Sequence, residues 1–214
     1  MNFRSFNVSL NSKISPFNKT IHVDSDKSLS IRTFLIGSIS NKISTAKNIL
    51  ESEDVKSAIS ACKKLGVKID KVGPGSYKIY GKGLGCFTAK KNTILNFGNS
   101  GTLARLLIGI LSTTEDIEIK IMGDHSLNKR NMKGLINLMS KFGAVFLPKN
   151  KTSFPLKMIS SAVPIGIKYK AGVSAQLKSA VILAGLNSYG NTTIEEKVIS
   201  RIDEFFLHQC CLPH

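Results

Sequence analysis

The sequence states one helix three times. Ser28-Leu29-Ser30-Ile31-Arg32-Thr33-Phe34-Leu35-Ile36-Gly37, Ser100-Gly101-Thr102-Leu103-Ala104-Arg105-Leu106-Leu107-Ile108-Gly109 and Ser174-Ala175-Gln176-Leu177-Lys178-Ser179-Ala180-Val181-Ile182-Leu183 align without gaps, their starts 72 and 74 residues apart. A fixed period of that size constrains architecture more firmly than local propensity does. In each copy apolar residues stand three, seven and eight places after the leading serine (Ile31, Leu35, Ile36; Leu103, Leu107, Ile108; Leu177, Val181, Ile182). That spacing predicts the one-sided stripe of a buried amphipathic helix.

Two copies continue into a second helix that ends alike, in Lys64-Leu65-Gly66-Val67-Lys68-Ile69 and Lys141-Phe142-Gly143-Ala144-Val145-Phe146. A glycine there stops a helix in the left-handed conformation and releases the chain into a strand. Short apolar or alternating stretches, Tyr77-Lys78-Ile79-Tyr80, Ile117-Glu118-Ile119-Lys120-Ile121 and Ile165-Gly166-Ile167-Lys168-Tyr169, read as strands, with Gly73-Pro74-Gly75 a turn. The repeating unit is therefore βαβα followed by one or two strands, which makes the chain α/β. The third copy breaks off: after the strand Thr192-Thr193-Ile194-Glu195-Glu196 no second basic-apolar-glycine stop arrives.

Composition limits what such a fold can serve. With 42% hydrophobic and 21% charged residues, wholesale disorder is excluded. No apolar run is long enough for a membrane helix, and Met1-Asn2-Phe3-Arg4-Ser5-Phe6-Asn7 lacks the apolar core of a secretory signal, so a cytoplasmic location is expected. Cys62, Cys86, Cys210 and Cys211 show no ligand spacing, so reduced thiols and no metal site are expected. Thirty Lys and Arg against fourteen Asp and Glu leave a net charge of +16. Such a surplus attracts phosphates of any kind. The lysines are spread along the whole chain, however, and Trp is absent, which disfavours a stacking platform for nucleic acid.

The helix starts are more pointed. A helix N-terminus carries unpaired N–H groups and the positive end of the dipole, so three starts on one side of a domain form an anion site. Lys27-Ser28 with Arg32, Asn99-Ser100-Gly101-Thr102 with Arg105, and Ser174-Ala175-Gln176 with Lys178 each join small polar residues to a cation. Ordinary capping with exposed charge accounts for any single copy. It gives no reason for the cation to recur in all three.

These residues carry a family resemblance. Asp26 to Arg32, Gly98 to Arg105, Gly123-Asp124 through Lys129-Arg130-Asn131-Met132, and Ser174 to Ser179 resemble the successive signatures of 5-enolpyruvylshikimate-3-phosphate synthases, in order, over about residues 20–201. The sister family that acts on a UDP-sugar is similar in fold, but has asparagine where Ser28 stands and a loop cysteine that neither Cys62 nor Cys86 matches. The resemblance implies one lobe of a two-lobed, inside-out α/β barrel, each lobe built from three βαβαββ units with helices inside. Here the units would run over about 20–88, 89–153 and 154–201, the third truncated. It further implies transfer of the enolpyruvyl group of phosphoenolpyruvate to the 5-hydroxyl of shikimate 3-phosphate, with release of phosphate and with no cofactor. Lys27, Ser28, Arg32, Ser174, Ala175, Gln176 and Ser200 would hold shikimate 3-phosphate. Lys27, Asn99, Gly101, Arg130 and Gln176 would hold phosphoenolpyruvate, Thr102 shaping the loop, and Lys27 is the one candidate for a catalytic role. The full-length enzyme would be a monomer without nucleic-acid or membrane partners.

The chain also departs from the family pattern. Family members are much longer, and their proton-transfer residues lie in a second lobe. Residues 1–19, with Ile14 and Phe17, read as a strand segment belonging to that lobe, and residues 202–214 as an anomalous tail of the kind a frameshift or early stop leaves. The fragment is thus expected to bind substrates without turning them over, a separate C-terminal lobe being a candidate partner. The alternative is a non-catalytic basic module for phosphorylated metabolites or nucleic acid. His22 and His125 lack a carboxylate partner at fixed spacing, and Gly81-Lys82-Gly83-Leu84-Gly85 is a turn, lacking the Lys-Ser/Thr and helix of a P-loop.

Overall fold

The computed structural model describes residues 24–196. The first unit comprises α1 (Lys27–Ile39), β1 (Ile43–Ala46), α2 (Glu53–Lys64), β2 (Lys68–Gly73) and β3 (Ser76–Tyr80). The strand that should open it lies outside the described residues. The second unit is complete: β4 (Thr93–Asn96), α3 (Gly101–Ser112), β5 (Glu118–Met122), a one-turn helix α4 (His125–Lys129), α5 (Lys133–Lys141), β6 (Val145–Leu147) and β7 (Leu156–Ile159). The third is described as β8 (Lys168–Ala171), α6 (Ala175–Gly185) and β9 (Thr193–Glu196).

Strand pairing repeats with the units. β1-β3-β2 is antiparallel throughout, and β5-β7-β6 repeats that order inside the sheet β4-β5-β7-β6. β4 runs parallel to β5 as β8 does to β9, each pair joined by its crossover helix, α3 or α6. The helix stops also match. Gly66 (φ 89°) and Gly143 (φ 101°) donate to the carbonyls of Lys63 and Ser140, and the next residues, Val67 and Ala144, reach back to Cys62 and Met139. These are paired Schellman closures, and glycine supplies the positive φ they require.

Helices fill the interior and strands wrap them. In β5, Ile119 and Ile121 are buried while Lys120 points to solvent, so one face of the sheet is wet and the other covers the helices. The sequence predicts a one-sided stripe on each repeated helix, and α3 departs from it: every residue except Arg105 is buried. A helix enclosed by a sheet and by other helices has no solvent face, which is why Gly109 sits where it does. A Cβ there would stand 2.5 Å from the carbonyl oxygen of Ala180 on α6. Bare backbone lets α3 and α6 touch.

Two expectations need correction. The stretch Ile165 to Tyr169 is not one strand, for β8 starts at Lys168 and Ile165 makes only an isolated bridge with Tyr189. Pro164 has no N–H for a ladder, and the carbonyl of Pro164 and the N–H of Gly166 are bonded to Tyr189 in the turn after α6. The repeat register also shifts. The helix caps are Asp26, Ser100 and Ser174, whose side chains accept from the N–H groups of Leu29, Leu103 and Leu177. Counted by caps the period is 74 residues both times, and Ser28 lies inside the first turn of α1.

Candidate anion-binding site at the helix starts

Parallel neighbours end side by side, so β4 and β5 deliver their carboxyl ends to one place, where ligands collect in open α/β sheets. The turn after β4 is stitched to the one after β5: the N–H of Phe97 donates to Met122 and that of Asp124 to Gly98, at 2.9 and 2.8 Å. Gly98 takes φ 56° to make this turn. Ser100 then caps α3, and Asp124 caps α4 by accepting from Leu127 at 2.7 Å. Leaving α4, Arg130 has extended backbone, and its guanidinium turns back to donate to the Asn99 side-chain oxygen.

The start of α6 joins the same cluster. Gln176 donates from Nε2 to Thr102 Oγ1 at 2.9 Å, and its Oε1 accepts from Arg105 Nη1 at 2.8 Å. Arg105 Nη1 also reaches the Gly101 carbonyl at 3.1 Å. Gly101 is therefore flanked by two guanidiniums: a Cβ on it would stand 2.8 Å from Arg105 Nη1 and 2.9 Å from Arg130 Nη1. Burial first, and then the Arg130 charge, pull the Arg105 guanidinium below its ordinary pKa. Among the described residues no Asp or Glu forms an ion pair with either arginine. Two cations, a bare backbone and helix N–H groups gathered without a carboxylate can hold an anion carrying several oxygens.

Lys27 approaches from the first unit. Its ammonium, half-exposed, lies 3.0 Å from the Asp54 carboxylate in the first turn of α2. One turn on, Ser57 Oγ stands 3.1 Å from where a Cβ on Gly98 would lie, so α2 links Lys27 to the β4–α3 turn. Ser28 is half-buried in the first turn of α1, and Arg32, one turn later, is buried. Ser174 accepts from Leu177 at 3.4 Å as the cap of α6, and Ala175 opens that helix. Ser200, His22, His208, His214, Ile14, Phe17 and the segments 1–19 and 202–214 lie outside the described residues. His125 is exposed at the start of α4.

One cation of the sequence pattern leaves the site. Lys178 is buried and ion-paired with Glu196 of β9 at 2.6 Å, so its charge ties strand to helix. Counted from the caps, Arg32, Arg105 and Lys178 fall at the sixth, fifth and fourth places, so they do not share a helix face. Sequence reasoning noted Arg105 without counting it in the site, although its place one turn into α3 was visible. Asp54 gave no signal beyond being acidic in a first helical turn.

A model of the EPSP synthase family (3-phosphoshikimate 1-carboxyvinyltransferase) matches residues 11–204. The chain belongs to the EPSP synthase family. It is 35% identical over 190 residues to the 3-phosphoshikimate 1-carboxyvinyltransferase of a Ruegeria species, covering 88% of this chain and 42% of the relative. For the same enzyme of Acidiphilium cryptum the identity is 38% over 183 residues, with 85% and 41% covered. The solved EPSP synthase of Acinetobacter baumannii superimposes with a TM-score of 0.77 at 33% identity, over 85% of this chain and 41% of that one. The chain thus spans about two-fifths of the length of the relatives it matches. The family also bears out the fold expected from the sequence, one lobe of the EPSP synthase architecture, with helices enclosed by sheets.

Among the described residues no helix is long and apolar enough to cross a membrane, and no group of three or more His, Cys, Asp or Glu could hold a metal ion.

Proposed function

We propose that this chain is the substrate-binding N-terminal part of a shikimate-pathway enolpyruvyl transferase, acting in the cytoplasm. In the whole enzyme, the 5-hydroxyl of shikimate 3-phosphate attacks C2 of phosphoenolpyruvate, and the tetrahedral adduct then expels phosphate. The observation that carries the proposal is the cluster in which Gln176 bonds both Thr102 and Arg105 while Arg105 and Arg130 flank Gly101. It joins two motifs more than 70 residues apart into one cationic cluster, of a charge that suits small phosphorylated carboxylates. Phosphoenolpyruvate would lie over Gly101 between Asn99, Arg130 and Gln176. Shikimate 3-phosphate would take Ser28, Arg32, Ser174, Ala175, Gln176 and Ser200, with Lys27 between the two ligands as the chain's own catalytic candidate.

The division of labour follows from charge. Two phosphates and a carboxylate repel one another, so clamping and orienting them is a large part of the catalytic task. The proton removed from the 5-hydroxyl needs a positioned acceptor, which we assign to the second lobe. Under this proposal the units run over about 20–88, 89–153 and 154–201, residues 1–19 belong with the second lobe and 202–214 depart from the family pattern. The 214-residue chain then binds both substrates and releases no phosphate from them.

Calorimetric titration of the two substrates, with a phosphate-release assay on the same sample, tests this. Saturable binding without phosphate release is expected. Phosphate release by the chain alone would overturn its assignment as a binding part. Retention on heparin that shikimate 3-phosphate leaves unchanged, with no calorimetric signal, would overturn the substrate assignment.

A further inference from the structure

Two guanidiniums flank Gly101, and they meet it differently. A Cβ on Gly101 would stand 2.8 Å from Arg105 Nη1 and 2.9 Å from Arg130 Nη1, so one terminal nitrogen of each faces the bare backbone. Arg130 is bonded to Asn99 through its other nitrogen, Nη2, which among the described residues leaves Nη1 open for a ligand. Arg105 is bonded through Nη1 itself, to the Gly101 carbonyl at 3.1 Å and to Gln176 Oε1 at 2.8 Å. A terminal guanidinium nitrogen carries two N–H groups, and here both are spent on protein acceptors. The nitrogen that Arg105 turns toward Gly101 has nothing left to donate to an anion.

What Arg105 does control is the Gln176 amide. A primary carboxamide can sit either way round, since its two ends are nearly equal in size and one accepts where the other donates. A guanidinium has donors only. It therefore draws Oε1 to itself and turns Nε2 to Thr102, whose buried hydroxyl accepts at 2.9 Å and has the chemistry to meet either end. The reversed amide would set N–H against N–H beside a half-buried charge. With one lone pair and one N–H used, Gln176 keeps one of each, in fixed positions, for a ligand between the α3 and α6 starts. An untethered glutamine gives up its rotamer freedom on binding; this one has given it up on folding.

We propose that Arg105 is a positioning residue, which acts on a bound anion by fixing the orientation of the Gln176 amide, while Arg130 is the guanidinium that meets the anion directly. The bonds from Arg105 to Gly101 and Gln176 are each single, so an ammonium with three donors can replace them. A two-nitrogen fork has no such substitute. The effect of Arg105 on affinity rests on the proposed function; its effect on the amide does not.

The full 214-residue chain is the sample for both. Without ligand, nitrogen NMR relaxation of the Gln176 side-chain amide should show a rigid group. Arg105→Met should release it, the order parameter falling below about 0.6, and Arg105→Lys should keep it rigid. Calorimetric titration with shikimate 3-phosphate and with phosphoenolpyruvate then closes a double-mutant cycle. Arg105→Met should weaken both ligands on the order of tenfold, but by less than about twofold once Gln176→Leu is in place. Arg105→Lys should bind within about threefold of the unsubstituted chain, and it decides alone if Arg105→Met does not fold. A rigid amide in Arg105→Met, a mobile one in Arg105→Lys, or losses that add in the cycle would each overturn the proposal, the last by making Arg105 a direct ligand. If the unsubstituted chain binds neither substrate, the proposed function falls and the amide measurement decides this inference.

Discussion

Under the proposed assignment, Arg130 would separate recognition of the two anions by geometry rather than charge. A guanidinium can donate to Asn99 and still present a fork to a carboxylate or phosphate over Gly101, whereas an ammonium is a point charge without that fixed fork. Arg130→Lys should therefore weaken phosphoenolpyruvate on the order of tenfold or more while changing shikimate 3-phosphate by less than about threefold. Equal losses in calorimetry would remove Arg130 from the phosphoenolpyruvate site. Gly101→Ala makes a complementary test. The new Cβ meets only the flexible ends of Arg105 and Arg130, so the unfolding midpoint should hold while anion binding weakens as both guanidiniums are displaced. Both residues were legible in the sequence because their motifs are local. The contact between Gln176 and Arg105 was not, since only the packing of α6 on α3 brings residues 71 positions apart within 2.8 Å.

Elements are held by pairings that the repeat did not announce. Glu51, just before α2, accepts from Lys71, from the Gly75 N–H and from the Tyr77 hydroxyl, latching the β2–β3 hairpin to the helix start. Lys71, then Gly75 and Tyr77, hold its carboxyl well below the usual range, at about 2. A depressed carboxyl contributes stability that is full above its unfolded value and is lost as pH falls toward the folded one. Glu51→Gln should thus lower the urea midpoint at pH 7, and its deficit should shrink between about pH 4.5 and pH 2. A deficit independent of pH would show that the latch acts through shape alone. At the α3–α6 contact, Gly109→Ala drives a Cβ into the Ala180 carbonyl and should cost about 1–3 kcal/mol by denaturant unfolding. Because that contact also sets Gln176 against Arg105, the variant should lose phosphoenolpyruvate affinity although Gly109 is remote from the site.

On the scale of the molecule, the surplus charge divides. Arg105 and Arg130 face the site, Lys27 and Lys178 are engaged by Asp54 and Glu196, and many lysines, such as Lys120, stand on the outer faces of the sheets. Binding at the site should stabilise the chain by mass action, about 2.7 kcal/mol at a hundredfold excess over Kd. Shikimate 3-phosphate should therefore raise the thermal midpoint by several degrees, and salt at matched ionic strength should not. An equal rise with sodium chloride would mean that surface lysines, not the helix starts, respond to anions.

The sequence by itself determined the three-fold repeat, the alternation of strand and helix, the glycine stops and which motifs carry cations, because each is written in residues close together along the chain. Tertiary structure decided the rest. It moved the repeat onto the caps Asp26, Ser100 and Ser174, enclosed α3 on all sides, and withdrew Lys178 from the site to pair with Glu196. It also gathered Arg105, Arg130, Gln176 and Gly101 into one place. Local pattern sets what a segment can become; which charges meet a ligand and which meet one another depends on distances that only packing fixes.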